Sequence, residues 1–204
     1  MRITGIVITA ALALTLGLGV AAAQDGGGRG QGRGGGRAGG RGGGGIPAPL
    51  KITIPAFADG GAIPAKYGCL KGTNANISPA IEWSGAPAGT QSITLILHDP
   101  DVSIGADDVL HWAIFNIPAT ATGLPEGVPA KATLDDGAVQ IKNIGQSIGF
   151  FNPCPPPPTT HHYMFEFYAL DQKLDAGIAT RDDLLKAMTG HIRAKGVYFG
   201  LFHQ

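Results

Sequence analysis

Asp99 and Asp101 flank Pro100, and His111-Trp112 follows ten residues on, all set between apolar runs. In an extended backbone, side chains two residues apart share a face, so the two carboxylates are expected to point the same way. A second titratable cluster, His161-His162-Tyr163, follows the proline-rich stretch Pro153-Cys154-Pro155-Pro156. Carboxylates beside an imidazole are expected to raise its pKa and favour imidazolium. Imidazolium and N–H groups can hold an oxyanion while a carboxylate faces an ammonium, which suits a small anion or zwitterion. Taken singly, the same residues also read as structure: Asp99 capping a turn and His111 a hydrogen-bonded core histidine.

Two other chemistries compete for these residues. Gly145-Gln146-Ser147-Ile148-Gly149 fits G-x-S-x-G, and Asp171 and His191 follow in hydrolase order. A nucleophile elbow needs a helix directly after the serine, and the closely spaced prolines from Pro153 forbid one. Asp99, Asp101, His111 and His161 would also be acceptable metal ligands by type. They come from three separate segments, however, and no HxxxH or HxH spacing supports a metal site.

The elements that must position these groups are mostly strands. Ile93 to Leu97 runs into the aspartates and Ala113 to Ile117 runs out of His-Trp, both as buried strands. Leu50 to Phe57, Ile81 to Trp83, Val139 to Ile144 and Tyr163 to Leu170 also read as strands, with a turn at Asp59-Gly60-Gly61 and loop from Thr122 to Pro129. One helix is expected, capped by Thr180 with Asp183 at the capping-box position, apolar at Leu184, Leu185 and Met188, and stopped by Gly190. A last strand, Lys195 to Phe202, places Val197, Phe199 and Leu201 on one face. Many strands and little helix predict a mainly β domain, a sandwich of two sheets.

Composition sets the limits. Met1 to Ala23 has Arg2, an uncharged run and Ala21-Ala22-Ala23 before Gln24, the pattern of a secretory signal cleaved after Ala23. The run is also long enough for the alternative, an N-terminal membrane anchor. Residues 24–45 form a Gly/Arg-rich linker; its stretch 26–45 holds fourteen Gly and four Arg and lacks core-forming side chains, so disorder is expected. With no aromatics for base stacking, it reads as a flexible cationic tether. The domain, 46–204, carries 10 Lys/Arg against 14 Asp/Glu, a balance that excludes a nucleic-acid footprint. The two cysteines, Cys69 and Cys154, either pair in an oxidising compartment or remain as buried thiols.

A family resemblance adds to this reading. Ser78-Pro79 with Trp83, Asp99-Pro100-Asp101, His111-Trp112, Asn116-Ile117-Pro118, Leu124-Pro125-Glu126-Gly127, Pro153-Cys154-Pro155-Pro156, His161-His162-Tyr163 and Tyr168-Ala169-Leu170-Asp171 stand in one order. Over about residues 50–202 the chain resembles the phosphatidylethanolamine-binding proteins, in their bacterial Raf kinase inhibitor-like branch. The resemblance implies a large antiparallel sheet packed on a smaller one, a few flanking helices and an anion pocket near one surface. Carried over motif by motif, Asp99, Asp101, His111, Pro153, His161 and Tyr163 would bind the ligand and Trp112 would support the wall. Ser103 and Asn152 depart from the pattern, which usually has Pro and Gly there.

The combined expectation is a secreted or periplasmic binding protein for phosphate-bearing head groups or similar small anions or zwitterions. It is not expected to be an enzyme, needs no cofactor or metal, and makes no stable membrane insertion after signal cleavage. A protein-interaction or inhibitor role for the pocket rim, with an unspecified protein partner, is the main alternative. A metal-assisted or serine hydrolase comes third.

Overall fold

The computed structural model describes residues 49–70 and 76–204. The signal segment, its cleavage point and the Gly/Arg linker lie outside the described residues.

The strands are β1 (Lys51–Thr53), β2 (Gly61–Ala62), β3 (Ile81–Ser84), β4 (Ser92–Ile104), β5 (Asp107–Pro118), β6 (Gly123–Leu124), β7 (Val139–Gln140), β8 (Thr160–Leu170) and β9 (Ile192–His203). One α-helix, α1 (Arg181–Met188), and a 3₁₀ turn at Ala65–Tyr67 complete the set among the described residues. Strands β1-β3-β6 form a small sheet and β2-β9-β8-β4-β5-β7 a large one. All pairings are antiparallel except β2 with β9, which is parallel. The expected mainly β, two-sheet architecture is therefore present, with Gly61 opening a short strand where a turn was expected.

Alternation along β4 and β8 builds two cores. Ile93, Leu95, Leu97, Phe165 and Phe167 face the small sheet, where Trp83 meets Phe167 with ring centroids 5.5 Å apart. Ile96, Ala113, Phe115, Tyr168 and Leu170 face the other way, onto Leu184 and Met188 of α1. Thr180 caps that helix as expected, its side chain accepting from the Asp183 N–H. On β9 the expected face of Val197, Phe199 and Leu201 is the outer one, and the buried face is Ala194, Gly196, Tyr198, Gly200 and Phe202. Glycine is required at 196, because a Cβ there would lie 2.5 Å from the Leu50 carbonyl oxygen.

Two irregularities in the β4–β5 ladder shape the functional end. Ile93 pairs with Ile117 but Leu95 with Ile114, and Asn116 absorbs the shift at φ +58°, a conformation Asn tolerates better than most residues. Its amide then exchanges two hydrogen bonds with Leu174, donating to the carbonyl and accepting from the N–H. Further along, Leu97 pairs with Trp112 but His98 with Leu110, which leaves His111 as the extra residue of a β-bulge.

Candidate functional site

Strand β4 does not stop at the aspartates, and β5 begins before His111. Pro100 sits in a strand interior, which is tolerable because β4 has already parted from β8 at His98–Met164 and its register with β5 shifts between Asp99 and Ser103. A missing N–H costs little where the ladder is broken. The face that carries Leu95 and Leu97 in the core carries Asp99 just beyond it. On β8 the face of Phe165 and Tyr163 likewise ends at His161.

These groups converge. Asp99 Oδ2 is 2.7 Å from His161 Nδ1, and Asp99 Oδ1 accepts the Asp101 N–H at 2.9 Å. Both members of the Asp99–His161 pair are buried. His111, also buried, stands edge-on to Tyr163 with centroids 5.1 Å apart. Asp99, His111, His161 and Tyr163 line a cavity of about 140 Å³, closed by Phe151, Cys154, Pro155 and Pro156. At ~30 Å³ per water, that is room for about four or five waters, the scale of a small oxyanion or head group. A larger groove of about 740 Å³ runs along the small sheet past Lys51 and Glu82. Its charged groups are single exposed side chains, so the smaller cavity, with its buried ionisable groups, is the site with built-in chemistry.

Three expected site residues lie elsewhere. The Asp101 carboxylate turns outward and accepts from the His162 N–H at 2.5 Å and meets its Nδ1 at 2.9 Å. Burial pushes that carboxyl up, but the bonds from His162 outweigh it and hold the group below the usual carboxylate range. The aspartates thus serve two different histidines on opposite faces of β8, one buried and one exposed. Trp112 is wholly buried beneath the site, donating from Nε1 to Gln140 Oε1 at 2.6 Å. Pro153 is buried behind the rim, its carbonyl accepting the Cys69 N–H at 3.0 Å.

The expected rise in the His111 pKa does not occur. Burial pushes it down and prevails over the Phe151 carbonyl and the Asp99 charge, which push it up, while His161 and His98 reinforce the fall. His111 Nδ1 lies 2.9 Å from the Phe151 carbonyl oxygen, which can only accept. The neutral ring therefore carries its proton on Nδ1. Burial, then the Asp99 charge, push the Tyr163 hydroxyl well up, so it stays protonated.

The apolar wall, Val102, Val109, Ile144 and Phe151, carries no sequence signal of its own. Cys154 was a visible candidate only as a half-cystine, and it does pair with Cys69, at a sequence separation of 85 residues. That bond ties the rim to the segment before residue 71. A second tie runs from the Asn152 N–H to Asn76 Oδ1 at 3.1 Å. Asn152, where the resembled pattern has Gly, is buried and does not have a positive φ.

Ser147 sits in a turn, where both its N–H and its hydroxyl donate to Asn143 Oδ1. No helix directly follows it, the chain running through turn and coil to β8, so the nucleophile elbow is absent. His191 and Asp171 do pair, Nδ1 to Oδ1 at 2.9 Å, but Ser147 makes no hydrogen bond to either among the described residues. No cluster of three metal-ligating side chains occurs among the described residues.

Known proteins match this chain in sequence and fold. The profile of the phosphatidylethanolamine-binding protein family matches residues 53–203. The chain belongs to that family. A UPF0098 protein of Methanothermobacter thermautotrophicus is 42% identical over 150 residues, covering 73% of this chain and 95% of the relative. A Mycobacterium tuberculosis relative named as a lipoprotein is 36% identical over 158 residues, covering 74% and 73%. The crystal structure of a phosphatidylethanolamine-binding protein homologue from Chlamydia trachomatis aligns with a TM-score of 0.67 at 34% identity, covering 76% of this chain and 98% of that one. Within the family frame, the cavity lies where the Asp99-Pro100-Asp101, His111-Trp112 and His161-His162-Tyr163 motifs meet. Among the described residues no helix is long and apolar enough to cross a membrane.

Proposed function

We propose that this chain is an exported binding protein whose cavity takes a phosphate-bearing head group or a similar small oxyanion, and that it catalyses no reaction. The observation that carries the reading is the buried Asp99–His161 pair, which opens with His111 and Tyr163 onto a cavity of about 140 Å³. Membership of the phosphatidylethanolamine-binding protein family supports a binding role. The mycobacterial relative named as a lipoprotein, together with the signal-like N-terminus, supports export.

Burying an ionisable pair costs desolvation energy that the pair's attraction often does not recover, so it is a poor device for stability alone. Asp99 holds the His161 ring in place. His161 Nε2 stands 3.2 Å from Thr159 Oγ1, which itself donates to the Pro156 carbonyl. Both ring nitrogens thus face oxygens, and with its proton on Nε2 the ring offers a donor to a ligand oxygen entering beside Thr159. The prolines at the rim supply no N–H.

Native mass spectrometry of protein purified from the extracytoplasmic fraction tests the reading. A small phosphate-bearing molecule should accompany the wild type and be lost from a folded His161→Ala variant. An empty wild-type protein that also fails to bind phosphoethanolamine or inorganic phosphate by calorimetry would overturn it and favour a rim that engages a protein partner. A fluorophosphonate probe should leave Ser147 unlabelled; stoichiometric labelling there would establish a hydrolase.

A further inference from the structure

The two cavity histidines are not equivalent. His111 Nδ1 is committed to the Phe151 carbonyl, so in the neutral ring Nε2 carries a lone pair. That Nε2 has no hydrogen-bond partner among the described residues, yet it is not among the side-chain atoms sealed from solvent without one. His111 lines the cavity, so the nitrogen is reached from there. His161 is the opposite case, with both ring nitrogens facing oxygens.

The other groups around His111 do not replace its missing donor. Asp99 on β4 is acidic and already engaged by His161 and the Asp101 N–H, and Asp101 turns away to His162. Tyr163 on β8 keeps its proton and turns to Asp99. His98, the remaining charge that His111 senses, has its Nδ1 2.5 Å from Asp108. On the rim, Pro155 and Pro156 have no N–H to offer. A fully ionised oxyanion would press a lone pair against the Nε2 lone pair, in a space that holds a carboxylate.

We propose that the cavity selects an oxyanion that still carries a proton, a singly protonated phosphate monoester whose P–OH donates to His111 Nε2 while its charged oxygens face His161. This rests on the oxyanion reading above and narrows it from anions in general to those that bring their own donor. A phosphate monoester loses its second proton near pH ~6. The acid form, present below that pH, is the one bound.

Calorimetric titration of the whole protein with methyl phosphate and methyl sulfate, each at pH 5.5 and pH 8, decides the matter. Methyl sulfate has the same shape and a single charge but no O–H. Methyl phosphate should bind at least about tenfold more tightly at pH 5.5 than at pH 8, following the ligand's ionisation. At pH 5.5 methyl sulfate should be at least tenfold weaker than methyl phosphate. Equal affinity for the two esters at pH 5.5, or a gain for methyl sulfate toward acid pH as large as that for methyl phosphate, would mean that His111 itself is protonated and donates to the anion, and would overturn the proposal. If neither ester binds at either pH, the oxyanion reading itself fails. Co-sedimentation with phosphatidylcholine vesicles doped with phosphatidic acid, competed by methyl phosphate, would assign the ester to a lipid. Ester binding without co-sedimentation would assign it to a soluble molecule.

Discussion

His161 and Asp99 stand 62 residues apart in the chain and 2.7 Å apart in the fold, Nδ1 to Oδ2, with both side chains buried. Strands β4 and β8 bring them together by antiparallel pairing that ends at His98–Met164, just before the pair. Removing one member leaves the other buried without its partner. His161→Ala is therefore expected to cost on the order of 3 kcal/mol, measured by urea denaturation at pH 7. A loss below about 1 kcal/mol, the range of exposed pairs, would show that water reaches Asp99 freely.

His111 should titrate below the usual histidine value of ~6.5. Because its folded pKa is depressed, the unfolded chain binds the proton more readily. The stability it contributes is present above ~6.5 and is lost as pH falls through the folded pKa. The ring carbon shifts of His111, followed by NMR from pH 8 downward, should have their midpoint below ~6.5. A midpoint above that value would restore the imidazolium that the carboxylates alone suggest.

The opposite face of the large sheet, at the same end of β4 and β5, is expected to set acid stability. Asp108 meets His98 Nδ1 at 2.5 Å and pairs with Arg181 at the start of α1. Burial pushes the Asp108 carboxyl up, but Arg181 and His98 prevail and hold it below its usual value. Its contribution is thus present above ~4 and lost as pH falls through the folded pKa. Urea midpoints should fall between pH 5 and pH 2.5, and Asp108→Asn should flatten that fall while lowering stability at pH 7. An unchanged acid limb would remove Asp108 from the account.

The Cys69–Cys154 bond closes a loop with a sequence separation of 85 residues, worth about 4.6 kcal/mol in the chain-entropy treatment. Replacing both cysteines by serine should lower stability by that order. Because Cys154 lines the cavity, the same variant should also weaken methyl phosphate binding. A stable double variant with unchanged affinity would make the bond incidental.

Gly196→Ala should cost about 1 to 3 kcal/mol, the range for overpacking. Its new Cβ would fall 2.5 Å from the Leu50 carbonyl oxygen, on a segment held by the Leu50 N–H donating to Lys195 at 3.1 Å. Thermal denaturation measures this, and a neutral substitution would show that β1 can move away from β9.

Much of the architecture is legible along the chain. The runs through Ile93–Leu97 and Tyr163–Leu170 are strands because apolar side chains at period two need two packed faces. The Thr180 and Asp183 spacing marks the helix start because capping is a contact between near neighbours. The ordered motifs likewise place Asp99, His111, His161 and Tyr163 in one family frame before any coordinate is known.

What the tertiary structure alone decided is how each of those groups behaves. The bulge that turns His111 and Trp112 out of simple alternation comes from the register of β5 against β4. The assignment of Asp99 to His161 and of Asp101 to His162 comes from the pairing of distant strands. The outer, not inner, place of Val197 depends on which face of β9 the small sheet covers. Residue types and local spacing report short-range preferences, and these set elements and motif order. Burial, tautomer and charge depend on partners such as the Phe151 carbonyl, 40 residues from His111, and on a local dielectric that exists only once the chain is packed.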